Sequence, residues 1–170
     1  RAGRLRCAGG AGAWQDMLLR LIAEYFGPAV AQQTARLLLI DPDRQSQLPY
    51  RAFNPLQAHN DEKILAVQQW LDEHACEALT LAQLASRIHL SERQFKRRFT
   101  AAVQQAPLAY IQELRMERAR QALAGTRAQV EQIARTCGYD DVRFFRRLFR
   151  RSTGLTPQEY RQKFSTVNAT

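Results

Sequence analysis

The chain has 170 residues, 45% of them hydrophobic and 24% charged, with only 8 glycines and 6 prolines, a globular balance that excludes collagen-like and low-complexity classes. No apolar run approaches the roughly 18 residues a membrane helix needs, which predicts a soluble, cytoplasmic protein with no membrane partner. The net charge of +9 is lopsided: residues 79–170 hold +10 and residues 1–78 hold −1, so the C-terminal part is expected to meet a polyanion, nucleic acid first.

The chain opens Arg1-Ala2-Gly3-Arg4 with no apolar stretch behind it, so no secretory signal is expected, and the absence of an initial methionine points to a fragment or a processed product. Residues 12–40 read as helical. Trp14, Met17, Leu18, Leu21, Ile22 and Tyr25 recur at three- and four-residue steps, Gly27-Pro28 breaks the helix, and a second begins over Val30 to Leu38. The polar, proline-bearing stretch from Asp41 to about Asn60 is a linker, with its domain-level bounds set at 48–60. A helix is expected from Asp61 to Glu77, burying Ile64, Val67, Leu71 and Trp70.

From Thr80 onward two capping boxes, Thr80-x-x-Gln83 and Ser91-x-x-Gln94, flank a short helix (Leu81 to Ile88) and a tight corner at His89-Leu90. Helix, short turn, helix is the helix-turn-helix grammar. A long helix follows from Pro107 to Ala124, and then the grammar repeats. A helix from Val130 to Cys137 ends at Gly138, suited to a left-handed C-cap; a second starts after Asp140-Asp141 and ends near Thr153-Gly154. Thr156-Pro157-x-Glu159 opens a last helix. No stretch alternates with period two, so the fold class is all-α.

The repeat is explicit in the residues. Gln83, Leu84 and Ala85 match Gln132, Ile133 and Ala134 at an offset of 49. Past the corner the offset becomes 50, pairing Arg93, Phe95, Arg97, Phe99, Pro107 and Tyr110 with Arg143, Phe145, Arg147, Phe149, Pro157 and Tyr160. The one-residue slip falls in the turn, where it is tolerable. At about 100° per residue, Phe95, Phe99 and Ala102 share a buried side of one helix, and Phe145, Phe149 and Ser152 that of the other. The opposite faces are cationic: Arg93, Arg97 and Gln104 flanked by Lys96 and Thr100, and Arg143, Arg147 and Arg150 flanked by Arg146. A recognition helix offers its N-terminal half to base edges in the major groove. Arg93, Lys96, Arg97, Arg143, Arg146 and Arg147 are therefore expected to contact bases. Thr100, Arg150 and Arg151 are expected to contact phosphates.

These residues resemble the DNA-binding domain of the AraC/XylS family of bacterial transcription regulators over about Ile64 to Phe164. The resemblance rests on Leu81-x-x-Leu84-Ala85, Phe95-Lys96-Arg97-Arg98-Phe99, Leu114-Arg115-Met116-Glu117-Arg118-Ala119, Ile133-Ala134-x-x-Cys137-Gly138-Tyr139, Phe145-Arg146-Arg147-Leu148-Phe149 and Gly154-Leu155-Thr156-Pro157-x-x-Tyr160-Arg161. It departs at Gln129, where the family usually has a Ser or Thr cap, and at Gln104, where the second unit has Gly154. The resemblance implies two units on one rigid helix entering successive major-groove faces of double-stranded DNA, with RNA polymerase as a further partner. Arg6-Cys7-Ala8-Gly9-Gly10, Asp16-x-Leu18-Leu19, Gly27 and Ala35-Arg36 resemble the end of a PfpI-type, amidotransferase-like α/β domain, which a subgroup of the family carries upstream and through which a homodimer could form.

The expected organisation is then a short helical remnant of an α/β domain (1–47), a linker (48–60) and an AraC-type domain (61–170). The domain holds one helix-turn-helix unit at about 80–104, a joining helix at about 107–124 and a second unit at about 129–153.

Other classes fit less well. An amidotransferase-like enzyme with a DNA-binding tail would need a nucleophile beside a His and an acid in motif context, and none is present; Cys7 matches a late Cys-Ala-Gly loop, so no catalytic residue is assigned. A DNA-repair alkyl acceptor would need clustered cysteines, and a nonspecific architectural protein would ignore scrambling of its site. Cys7, Cys76 and Cys137 are odd in number and far apart, without C-x-x-C or H-E-x-x-H. They read as reduced thiols, with no metal site or cofactor. His59, His74 and His89 show no ligand spacing and are expected on the surface or in turns.

Overall fold

The computed structural model describes residues 13–38 and 59–166. The Arg6–Gly10 motif with Cys7, and the expected linker up to residue 58, lie outside the described residues. The chain divides into two units, Arg1–Gln47 and Leu48–Thr170.

In the first unit α1 (Ala13–Phe26) and α2 (Pro28–Leu37) pack on each other. Gly27, at φ 89°, makes the break between them. Helix α2 begins two residues before the expected Val30, because Pro28 has its φ preset for the first helical position and no N–H to leave unpaired. Leu19 and Ala35 are the buried side chains among the described residues of this unit. Trp14, Leu18, Tyr25, Phe26 and Leu37 are exposed, and Leu21 and Ile22 half-buried.

The second unit is built from α3 (Glu62–His74), α4 (Leu81–Arg87), α5 (Glu92–Val103), α6 (Pro107–Gly125), α7 (Val130–Thr136), α8 (Val142–Thr153) and α9 (Pro157–Phe164). These are the seven helices the sequence predicts, and no strand occurs among the described residues. Asp61 caps α3, its carboxylate accepting from Ile64 N. The helix ends at His74 rather than at the expected Glu77. Past it the chain turns, Glu77 N donating to the His74 carbonyl at 3.0 Å, and a side chain of α6 holds the turn: Arg115 Nε donates to the Ala75 carbonyl at 2.6 Å and its NH2 group to the Glu77 carbonyl at 2.7 Å. Ile64, Val67 and Leu71 are buried as expected. Gln68 is buried with them, taking a 2.7 Å hydrogen bond with His59 Nε2, while Trp70 is only half-buried, with Arg87 over its ring.

Two hydrophobic cores result, and α6 serves both. Tyr110, Ile111 and Leu114 join Leu84, Phe95, Phe99 and the apolar face of α3 in the first. Met116, Ala119 and Leu123 join Ile133, Phe145, Phe149 and Tyr160 in the second. The aromatic geometry repeats: Phe95–Phe99 and Phe145–Phe149 centroids lie 5.5 and 5.9 Å apart, and Phe99–Tyr110 and Phe149–Tyr160 meet edge-on at 5.3 and 5.4 Å. The first half of α6 is to the first core what α9 is to the second.

Candidate nucleic-acid interface

What aims a recognition helix is the turn before it, and both turns close in the same way. In the first, His89 N donates to the Ser86 carbonyl at 3.1 Å and Leu90 N to the Ala85 carbonyl at 3.0 Å. In the second, Gly138 N donates to the Arg135 carbonyl at 2.9 Å and Tyr139 N to the Ala134 carbonyl at 3.0 Å. Each pair is a Schellman closure, which needs a left-handed residue. His89 supplies it at φ 56° and Gly138 at φ 81°. One residue then separates His89 from the cap Ser91, and two separate Gly138 from the cap Asp141. That added residue is the register slip of the repeat.

Helix α5 starts on the capping box of Ser91 and Gln94, and α8 on Asp141, whose Oδ1 accepts from Arg143 N at 2.8 Å and Phe144 N at 3.0 Å. The bond from the Phe144 amide, with that from Arg143, holds the Asp141 carboxyl below its ordinary range, so it stays ionised at the positive end of the helix dipole. Phe95, Phe99, Phe145 and Phe149 have no exposure at all and are core residues. The inner stripe ends one residue later than expected. Ala102 and Ser152 are half-buried, while Val103 and Thr153 are buried, because the left-handed residues Gln104 (φ 56°) and Gly154 (φ 77°) fold the chain back beneath the last turn.

All nine residues assigned from sequence to DNA contact are exposed on α5 and α8. Arg93, Arg97 and Thr100 stand on α5 with Lys96, whose Nζ lies 2.5 Å from Glu92. Arg143, Arg147, Arg150 and Arg151 stand on α8 with Arg146, whose NH2 group lies 2.6 Å from Glu131 of α7. Lys96 and Arg146 are equivalent positions, and each carries an exposed carboxylate partner of the kind worth only about 0–1 kcal/mol. Among the described residues no hydrogen bond or ion pair ties down the side chains of Arg93, Arg97, Arg143, Arg150 or Arg151.

Two side chains at this surface escaped the sequence reading. Phe144 is 46% exposed, with Arg147 5.8 Å from its ring centroid. Its signal was available: a residue next to Phe145 falls about 100° off the buried stripe. Arg98 is not part of the free cationic face, because its Nε donates to Asp61 Oδ2 at 2.6 Å and ties α5 to the start of α3. That hydrogen bond is the main reason the Asp61 carboxyl sits below its ordinary range.

A helix-turn-helix domain family model matches residues 84–163, which spans both units. The DNA-binding domain of AdpA, solved in complex with a target DNA, is 31% identical, covers 61% of this chain and 94% of that domain, and superposes with a TM-score of 0.58. The chain belongs to the AraC/XylS family of transcription regulators. An AraC-type regulator from Chromobacterium violaceum is 29% identical, at 61% of this chain and 93% of that one, with a TM-score of 0.58. Among curated relatives, the HTH-type transcriptional regulator CdhR of Pseudomonas aeruginosa is 30% identical over 93% of this chain and 47% of its own length. The HTH-type transcriptional activator RhaS of Escherichia fergusonii is 34% identical over 61% and 37%. The chain thus spans less than half the length of these curated relatives. All four are regulators or domains of regulators, which leaves the enzymatic alternative without support. Among the described residues no helix is long and apolar enough to cross a membrane.

Proposed function

We propose that this AraC-type domain reads a specific double-stranded DNA site by setting α5 and α8 into successive major-groove faces. The observation that carries the reading is the duplicated face: equivalent exposed arginines, Arg93 with Arg143 and Arg97 with Arg147, stand outside matched buried phenylalanine pairs on one joining helix. The 19 residues of α6 span about 28 Å at 1.5 Å per residue, compatible with units one DNA turn of roughly 34 Å apart.

Arginine in the first half of each helix can grip guanine O6 and N7 with both arms, a contact worth about 1–3 kcal/mol of discrimination. Lys96 and Arg146 reach bases by exchanging a weak carboxylate partner for a base edge. Thr100, Arg150 and Arg151 lie later and fit phosphates. The exposed ring of Phe144 adds an apolar surface suited to a thymine methyl. As a regulator the protein acts in the cytoplasm, with RNA polymerase as a partner. Residues 1–47 fit the end of an upstream domain of the PfpI type, joined by a linker at 48–60 and able to form a homodimer.

Binding-site selection from random DNA, followed by single-base substitutions, tests the reading. Arg97→Ala and Arg147→Ala should relax preference at two positions about one helical turn apart. Arg150→Ala should weaken all sequences alike and lower the salt slope by about 1. Equal loss on every sequence for both Arg97→Ala and Arg147→Ala would show that these side chains touch only the backbone. The selected site should lack two-fold symmetry for a monomer, since the two helices carry different side chains.

A further inference from the structure

Cys76 lies in the turn after α3, ahead of the first helix-turn-helix unit, and Cys137 caps the end of α7 in the second, 61 positions further along the chain. The fold packs both into the second hydrophobic core, Cys137 within it and Cys76 against it. One guanidinium holds the approach. Arg115 donates to the carbonyls of Ala75 and Glu77, on either side of Cys76, and at 3.1 Å to the carbonyl of Gly138, next to Cys137. The backbones are so close that a Cβ on Gly138 would lie 2.4 Å from the Cys76 carbonyl oxygen. Cys76 is half-buried, whereas Cys137 is buried. The neighbouring Cys137 thiol, and then the charges of Arg115 and Arg118, outweigh burial and bring the Cys76 thiol down to about 7; the Cys76 thiol and burial push Cys137 up. A reachable thiol in a positive setting beside a protected second thiol is the arrangement of an attacking and a resolving cysteine.

We propose that Cys76 and Cys137 form a hydroperoxide-responsive thiol pair that closes into a disulfide between the turn after α3 and the second helix-turn-helix unit. The Cys76 thiolate attacks one oxygen of the hydroperoxide, the O–O bond breaks, and the departing oxygen takes a proton from solvent. With hydrogen peroxide this leaves a sulfenic acid on Cys76 and one water. The Cys137 sulfur then attacks the Cys76 sulfur, the S–O bond breaks, and hydroxide leaves with the Cys137 proton as a second water. Two thiols have given up two electrons and the peroxide has received them. The bond would tie the turn after α3 to the end of α7 beside Arg115. This chemistry stands apart from the DNA reading and is tested without DNA.

The experiment uses the whole chain carrying Cys7→Ser, so that only this pair remains. The folded protein is treated with a small excess of hydrogen peroxide, and free thiols are counted by alkylation after denaturation. Both thiols should disappear together in a monomer, with peptides bearing Cys76 and Cys137 joined and released by dithiothreitol. In a Cys137→Ser variant, dimedone should trap a sulfenic acid on Cys76. Unfolding in urea before the peroxide should slow formation of the joined peptide by about tenfold or more, because the held proximity is lost. Two thiols surviving peroxide in the folded chain would overturn the proposal. So would Cys76 passing to sulfinic acid while Cys137 stays alkylatable, or joining found only between chains.

Discussion

The two helix-turn-helix units reach one backbone geometry with different local support. The first leans on side chains: capping boxes start both of its helices at Thr80 and Ser91, and ordinary residues, His89 and Gln104, occupy its two left-handed positions. The second leans on glycine: Gly138 and Gly154 take those positions, Gln129 begins α7 without a side-chain cap, and Asp141 alone caps α8. The anchoring of the recognition helices differs too. Arg98 ties α5 to Asp61 through an ion pair, and the equivalent residue on α8, Leu148, is buried in the second core. A repeated unit therefore needs its backbone path and its buried aromatic pair. How the ends and turns are satisfied is free to differ.

The largest expected effect is on what the units share. Phe95→Ala and Phe145→Ala each remove a fully buried ring and should lower stability by about 3–5 kcal/mol in chemical denaturation. Phe145 also packs on Tyr139 at 5.6 Å, so its loss should lie toward the upper end. DNA binding should fall together with stability. Binding lost at unchanged stability would mean that the ring meets DNA instead of the core.

Gly138→Ala comes next and asks whether the glycine is there for its φ or for space. His89 shows that an L-residue can hold the left-handed position in the first unit. At Gly138 an added Cβ would also run into the Cys76 carbonyl oxygen. Strain and overpacking together should cost about 2–4 kcal/mol, read as a lower urea midpoint. A loss below about 1 kcal/mol, the scale of a left-handed alanine alone, would remove the close approach from the account.

Local grammar was legible in the sequence, and distant pairing was not. Capping boxes, the Gly138 turn, the phenylalanine stripes and the seven-helix order all follow from residues within a few positions of one another. Arg115 reaching Ala75, Glu77 and Gly138, Cys76 packing against the core that holds Cys137, Arg98 meeting Asp61 and Arg146 meeting Glu131 depend on packing between helices, which no local pattern encodes. The left-handed His89 and Gln104 carry no glycine to announce them. Only their alignment with Gly138 and Gly154 in the repeat does. The exposure of the arginines follows directly from their opposition to the phenylalanines.

The caps give a smaller contrast with opposite signs. Thr80→Ala removes a side-chain acceptor for Gln83 N and should cost about 0.5–2 kcal/mol. Gln129→Ser supplies the acceptor that α7 lacks and should stabilise by a similar or smaller amount. Thermal melts of both variants check the pair. A destabilised Gln129→Ser protein would show that the start of α7 is satisfied by something other than a cap.

The smallest effect is the sharpest test of the comparison, because it converts one unit toward the other. His89 is exposed and sits at φ 56°, where an L-residue is held about 1–2 kcal/mol above its preferred conformation. His89→Gly removes that strain but loosens the unfolded chain, which takes back about 0.4–1 kcal/mol. The balance should be a stabilisation of about 0.5 kcal/mol, a rise in melting temperature of a few degrees for a domain of this size. Gln104→Gly should gain less, since the Gln104 side chain donates to the Ala101 carbonyl at 2.8 Å and that bond would be lost. The order His89→Gly above Gln104→Gly above the unmodified chain is what equal backbone geometry in the two units requires. If His89→Gly instead lowers the melting temperature, the first turn depends on its imidazole, and the two corners are alike in path but not in the forces that close them.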